Sequence, residues 1–170
     1  LTRAPESNGV LDLLTSTRVH RTAVPVAVFM SLVISWAVFK LGCWAGLVML
    51  DYPVTGSGEY SLAMASFGLA WSGVGLLTAQ VASKPRAANG LGLLLALAGY
   101  LARMIVDSQD WSGVWVSPMS WVVEVRPWDD LRWPPLLSLS LLAAGGAVAA
   151  ALGTANRDLG SGLLTTRLGR

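Results

Sequence analysis

Few residues in this chain are able to carry chemistry. It has one histidine, His20, and one cysteine, Cys43. Cys43 lies alone in an apolar stretch, which excludes an internal disulfide and a cysteine-based metal cage. A hydrolase working at membrane depth needs a His, a Ser or a paired Asp set there. His20 instead stands beside Arg21 at the mouth of an apolar run, where it reads as a solvated interfacial residue, and no carboxylate falls inside such a run. No glycine loop ends in Lys and Ser or Thr, so the chain does not hydrolyse nucleotide as a P-loop protein does. No catalytic residue, metal site or cofactor is expected.

Two groupings remain. Arg103 and Asp107 are four apart, the spacing that brings two side chains together on one helix face. They suit either a plain interfacial pair near a helix end or an ion pair in a substrate path. Residues 107–133 hold four Asp, one Glu, two Arg and five Trp, too polar to span a bilayer yet too aromatic for a free loop. Tryptophan favours the headgroup level, so this segment is expected at a membrane interface, as an anchoring belt or as an aromatic vestibule. Ser117 before Pro118 has the form of an N-cap followed by proline at the first helical position, predicting a short helix over about 118–125 ended by Pro127.

The elements that must position these residues are legible from composition. Of 170 residues, 54% are hydrophobic and 13% charged, against about 25% charged in ordinary globular domains. The apolar residues collect into runs of roughly 18 to 25, the length of helix that crosses about 30 Å of hydrocarbon. The net charge of +2 is not gathered on a face with interleaved aromatics, which leaves nucleic acid without support as a partner.

These features predict an all-α polytopic membrane bundle, with spans at about 22–50, 60–82, 87–106 and 134–155. Residues 51–59, rich in Pro, Gly and Ser, read as a loop, and 83–86 as a tight basic turn. Ala65, Gly68, Ser72, Gly73 and Gly75 in the second span, and Gly92, Ala96 and Gly99 in the third, are small residues at spacings that let membrane helices approach closely. Gln80 is expected to bond across helices, and Lys40 to snorkel toward the far interface of the long first span. Residues 1–21 suit an amphipathic helix at the membrane surface, residues 107–133 an outer interfacial insertion, and residues 156–170 a polar tail.

Placing residues 1–21, the 83–86 turn and the tail on one side gathers Arg3, Arg18, Arg21, Lys84, Arg86, Arg157, Arg167 and Arg170 there. The other side keeps Arg126 and Arg132 in its loops, with most of the acids. By the positive-inside rule, both ends are expected in the cytoplasm and the insertion outside, in the cell membrane. An odd number of spans would break this agreement.

A cytoplasmic amphipathic helix, four spans and an aromatic helical insertion before the last span resemble the membrane subunit of type-2 ABC exporters. More narrowly, Ala87 to Gly90, Arg103, the run Ser117 to Pro127, Arg132 to Pro134 and Arg157 to Leu164 resemble actinobacterial permeases for polyketide antibiotics or tetronasin. The resemblance covers most of the chain. Glu6, Gly9, Asp12, Leu13, Leu14, Thr17, Val19 and Arg21 stand where that family has its coupling helix, with departures at Arg18, where proline is usual, and at Asp12.

The resemblance implies a permease, not an enzyme. Its implied partners are a separate ATP-binding-cassette ATPase, gripping Glu6, Gly9, Asp12, Leu13, Leu14, Arg18 and Arg21, and a second membrane half or protomer. It would move an amphipathic drug-like or antibiotic molecule outward through the bilayer. The insertion is then a candidate outer gate, with Trp121, Glu124, Arg126 and Trp128 as its residues. Members are longer, so this chain reads as the last four spans of a first half. A non-transporting accessory or scaffold protein and an inactive truncated permease are the alternatives.

Overall fold

In a lipid interior every backbone N–H and C=O must find a partner within its own segment, and the described part of the chain obeys this by being helical throughout its long elements. The computed structural model describes residues 23–82, 84–109 and 114–155. They form α1 (Ala23–Met49), α2 (Val54–Val81), α3 (Pro85–Ser108), a 3-10 turn (Val114–Val116), α4 (Pro118–Glu124) and α5 (Trp133–Ala155). Helices α1, α2, α3 and α5 are each long and apolar enough to cross a membrane. Residues 1–22 and 156–170, which hold all the coupling-helix positions, lie outside the described residues.

The loop expected over 51–59 is shorter than its composition suggested. Leu50 and Asp51 donate backbone bonds to Leu47 and Val48, Tyr52 returns to Leu47 at 3.1 Å, and Asp51 takes a positive φ of 63°. Asp tolerates that left-handed conformation. With Pro53 fixed at φ −56°, α2 begins at Val54 and takes in Gly56, Ser57 and Gly58. These small residues do not turn the chain. Gly56 makes room for the indole of Trp128, and Trp44 lies beside Gly58. At the other turn, Pro85 and Arg86 also belong to a helix, because proline suits the first helical position after an extended Lys84.

Helix α2 is the centre of the bundle, packing against α5 most extensively and against α1 and α3 on its other sides. Its buried positions are nearly all small, among them Ala63, Ala65, Gly68, Ala70 and Gly73. At the α2–α5 crossing a Cβ on Gly73 would lie 2.9 Å from the Ala143 backbone, and one on Gly146 would run into Gly73 itself. Hydrocarbon gives helices no hydrophobic reason to associate, so close contact of this kind supplies the dispersion energy that holds them. Gly75, also in the predicted stripe, meets nothing within 4 Å. The α3 stripe does face the bundle: Gly92 lies against Thr78 and Gly99 against Ser117 and Trp71. Gln80 rests its side chain on Gly153 of α5.

The hydroxyls of Ser31, Ser35, Ser72, Thr78, Ser138 and Ser140 donate back to carbonyls three or four residues earlier, which satisfies them within their own helices. Leu93, Leu94, Leu97, Leu101, Met104 and Ile105 of α3 are exposed, as are Val26, Met30, Ile34 and Val38 of α1. In water such faces would aggregate; in a bilayer they meet acyl chains.

The crossing gives a paired test. Gly146→Leu forces a side chain into the Gly73 backbone and is expected to cost at least about 1–3 kcal/mol, as overpacking does. Gly145→Leu, one residue away and with nothing within 4 Å of its Cβ position, is expected to leave stability within about 0.5 kcal/mol. Unfolding midpoints in mixed micelles of both variants would decide.

Candidate functional site

The insertion between α3 and α5 is built upward from a few polar contacts. Ser117 has extended backbone angles and accepts from the Met119 N–H at 3.2 Å, as an N-cap does. Its hydroxyl also donates to the Gly99 carbonyl on α3 at 2.8 Å. One side chain thus starts α4 and ties it to a spanning helix, a capping role worth about 1 kcal/mol in itself. The helix predicted over 118–125 runs Pro118–Glu124, and the chain turns at Val125.

Arg103 is the second tie. Its Nε donates to Asp107 Oδ2 at 3.1 Å, forming the ion pair expected from their spacing, and its Nη1 donates to the Met119 carbonyl at 3.0 Å. The Asp107 side chain is 57% exposed and that of Arg103 is 24% exposed, so the pair by itself contributes little, roughly 0–1 kcal/mol. The bond to Met119 gives Arg103 a further part: it holds the first turn of α4 over the end of α3.

A third set closes the far side of the insertion. Glu124 Oε2 accepts from Arg132 Nη1 at 2.8 Å and lies 3.8 Å from Arg126 Nε. Between these residues the chain makes a loop, closed by Arg132 N–H donating to the Val125 carbonyl at 3.0 Å. Val125 is fully buried against Ala63 and Leu136, so the loop is pinned in the bundle. Arg126 and Trp128 take positive φ values of 49° and 68°. Such conformations cost of order 1–3 kcal/mol each outside glycine and persist where surrounding contacts hold them.

Trp128 shows what holds it. Its ring stacks on Tyr60 at 4.9 Å and 26°, approaches Tyr52 at 6.2 Å, and covers Gly56 so closely that a Cβ there would overlap the indole. Its N–H donates to Glu59 Oε2 at 3.3 Å. The insertion is therefore fastened to the first two turns of α2. Trp121 makes a different contact, donating from Nε1 to the Trp115 carbonyl at 3.3 Å, with the rings 6.3 Å apart. The four gate candidates do not converge: Glu124 and Arg126 meet, Trp128 reaches α2, and Trp121 stays within the insertion.

Sequence reasoning missed Arg132, Glu59, Tyr60 and Gly56 as parts of this cap. Arg132 is eight residues from Glu124 across an irregular loop, and Glu59 is 69 residues from Trp128, so no periodicity links them. Gly56 carried the one available signal, and it was read as a turn former.

A second feature had no counterpart in the sequence reading. Trp36 and Phe39 of α1 with Met64, Phe67, Gly68, Trp71 and Ser72 of α2 line an open groove of about 550 Å³. Trp36 lies on Gly68 and donates from Nε1 to Ser72 Oγ at 3.0 Å, while Ser72 donates to the Gly68 carbonyl at 2.9 Å. Phe39 meets Trp36 edge-on at 5.3 Å, and Phe67 meets Trp71 at 6.3 Å. Trp71 Nε1 is buried with no partner, a state costing about 1–3 kcal/mol. Among the described residues no cluster of His, Cys, Asp or Glu has the makings of a metal site.

No family model matches the chain. It is 32% identical over 169 residues to a multidrug efflux system permease protein of Mycobacterium tuberculosis. That alignment takes in 99% of this chain and 31% of the relative, so the chain spans about a third of the length of the protein it matches. What the geometry and the comparison establish together is a multi-pass helical membrane protein, similar over nearly all its length to one part of an efflux permease.

Proposed function

We propose that this chain is part of the membrane subunit of an ATP-driven exporter that moves amphipathic, drug-like or antibiotic molecules out of the cell. The observation that carries the reading is the similarity, across 99% of the chain, to a protein named as a multidrug efflux permease. Four helices able to span a bilayer agree with it, and in this reading a separate ATPase supplies the energy, these 170 residues holding no P-loop motif. The basic residues at both ends and in the turn before α3 support, by the positive-inside rule, a cytoplasmic side for those parts and an outer side for the cap.

In this reading residues 6–18 are the seat of the ATPase, with Glu6, Gly9, Asp12, Leu13 and Leu14 in the contact. Movement there is passed to α1, to the central helix α2 and, through Trp128 on Tyr60 and Glu59, to the outer cap. The cap gates the exit by keeping or releasing that contact, while Ser117, Arg103 and the Glu124–Arg132 pair keep its own shape. Alternating access by rocking of packed helices is the physical frame. A second membrane half or protomer completes the path.

Cysteines placed one at a time between Glu6 and Arg18 are expected to crosslink to the cognate ATPase with a yield that changes when ATP is added. Correct membrane insertion with no crosslink at any position would favour a scaffold or inactive permease instead. Trp128→Ala is expected to lower export at least tenfold at normal expression, and Trp121→Ala by less than threefold, in a dye-efflux assay. Export left intact by Trp128→Ala removes the gate from the reading.

A further inference from the structure

We infer that the loop from Val125 to Arg132 is a strain-loaded latch with two positions: Trp128 seated on α2, and Trp128 released with the loop backbone relaxed. The inference deepens the gate reading above and rests on it only for what the latch would control. The two positions belong to the loop itself.

The loop has a closed base and a free tip. At the base Val125 is fully buried, the Arg132 N–H donates to the Val125 carbonyl at 3.0 Å, and Arg132 Nη1 donates to Glu124 Oε2 at 2.8 Å. Across the tip the Asp129 N–H donates to the Arg126 carbonyl at 3.3 Å, longer than a usual backbone bond. Arg126, Trp128, Asp129 and Asp130 are all exposed. The tip can therefore swing while the base stays shut.

Both unusual backbone conformations lie in that tip, φ 49° at Arg126 and φ 68° at Trp128. For a residue as bulky as tryptophan a positive φ is a genuine outlier. Arg126 has a second source of strain. It precedes Pro127, and the proline ring pushes the residue before it toward extended backbone. The other positive φ on a non-glycine residue among the described residues is at Asp51, a residue type that tolerates it.

Strain of this kind persists where surrounding contacts over-determine it. Here those contacts come from one small seat. Gly56, Glu59 and Tyr60 stand at i, i+3 and i+4, on one face of α2. Gly56 leaves space for the indole, Tyr60 stacks on it at 4.9 Å, and Glu59 Oε2 accepts from the Trp128 N–H at 3.3 Å. The Trp128 residue stays 43% exposed even when seated. A seat that covers little more than half of Trp128 thus opposes two strained residues. Once the ring leaves α2, both residues have relaxed conformations to return to, the bond across the tip opens, and the base still holds the loop in place. That is a two-state element of the kind switches are built on.

The test uses the full protein in nanodiscs, with a ring-fluorinated tryptophan in place of Trp128 alone, read by fluorine NMR. Stacking on Tyr60 gives the seated fluorine its own shift, and Gly56→Leu, which leaves no room for the ring, supplies the released reference. Glu59→Gln is expected to raise the released fraction at least threefold over wild type. In that background Arg126→Gly, which takes a positive φ freely, should lower the released fraction at least threefold relative to Arg126→Ala, which loses the same side chain and keeps the strain. Under fast exchange the fractions are read from the averaged shift. Equal released fractions in the Gly and Ala variants overturn the latch, as does a Gly56→Leu resonance identical to wild type. ATP-driven dye efflux is measured separately. A fluorine signal that responds while efflux does not differ between Arg126→Gly and Arg126→Ala confirms the latch and removes the gate reading alone. Efflux that differs with no change in the fluorine signal overturns the latch alone.

Discussion

Everything described here depends on how closely the backbones of α2 and α5 approach each other. In water, two apolar helices associate because water leaves the surface between them; in a bilayer, lipid tails solvate leucine as well as another helix does. Association must then come from better contact than lipid can make. Gly73 meets the Ala143 backbone and Gly146 meets the Gly73 backbone, and at neither glycine is there room for a methyl group. The cap rests on that crossing, since Leu136 at the start of α5 and Ala63 on α2 together hold Val125.

The same economy of small residues recurs with aromatic partners. Trp36 lies on Gly68, Trp44 beside Gly58 and Trp128 on Gly56. At Gly68 and Gly56 the missing side chain lets an indole from another element come down onto the helix surface, while at Gly58 the contact is an ordinary one, and in all three a polar contact sets the ring or its backbone. The central helix thus offers a row of flat seats. Neighbours are located by where their tryptophans sit rather than by interlocking branched side chains.

The architecture was legible because its cause is simple: hydrocarbon thickness dictates apolar runs of a certain length, and those runs are plain in the sequence. Ser117–Pro118 was legible for a similar reason, being a local signal with a local meaning. Arg103 with Asp107 was legible as a pair but not as a clamp, since Met119 lies on another helix. Residues 51–59 misled because glycine and serine serve both turns and ring seats, and only the arrival of Trp128 and Trp44 decides between them. The groove was invisible for a deeper reason. Trp36, Phe39, Phe67 and Trp71 have the composition of ordinary membrane packing, and a cavity arises from what two helices fail to fill.

The turn between α1 and α2 carries a mechanical consequence. Asp51 in its left-handed conformation and the bond from Tyr52 to Leu47 join the two helices through a link only a few residues long. So short a strap prevents α1 from sliding as a piston along α2. Its remaining freedom is to swing about the turn like one leg of a compass. Over a rod of about 40 Å, a swing of about 5° displaces the opposite tip by about 3–4 Å while the tip at the turn barely moves. The leverage of the pair therefore grows with distance from the turn: a push at the far end arrives beside the turn with little travel and proportionately greater force.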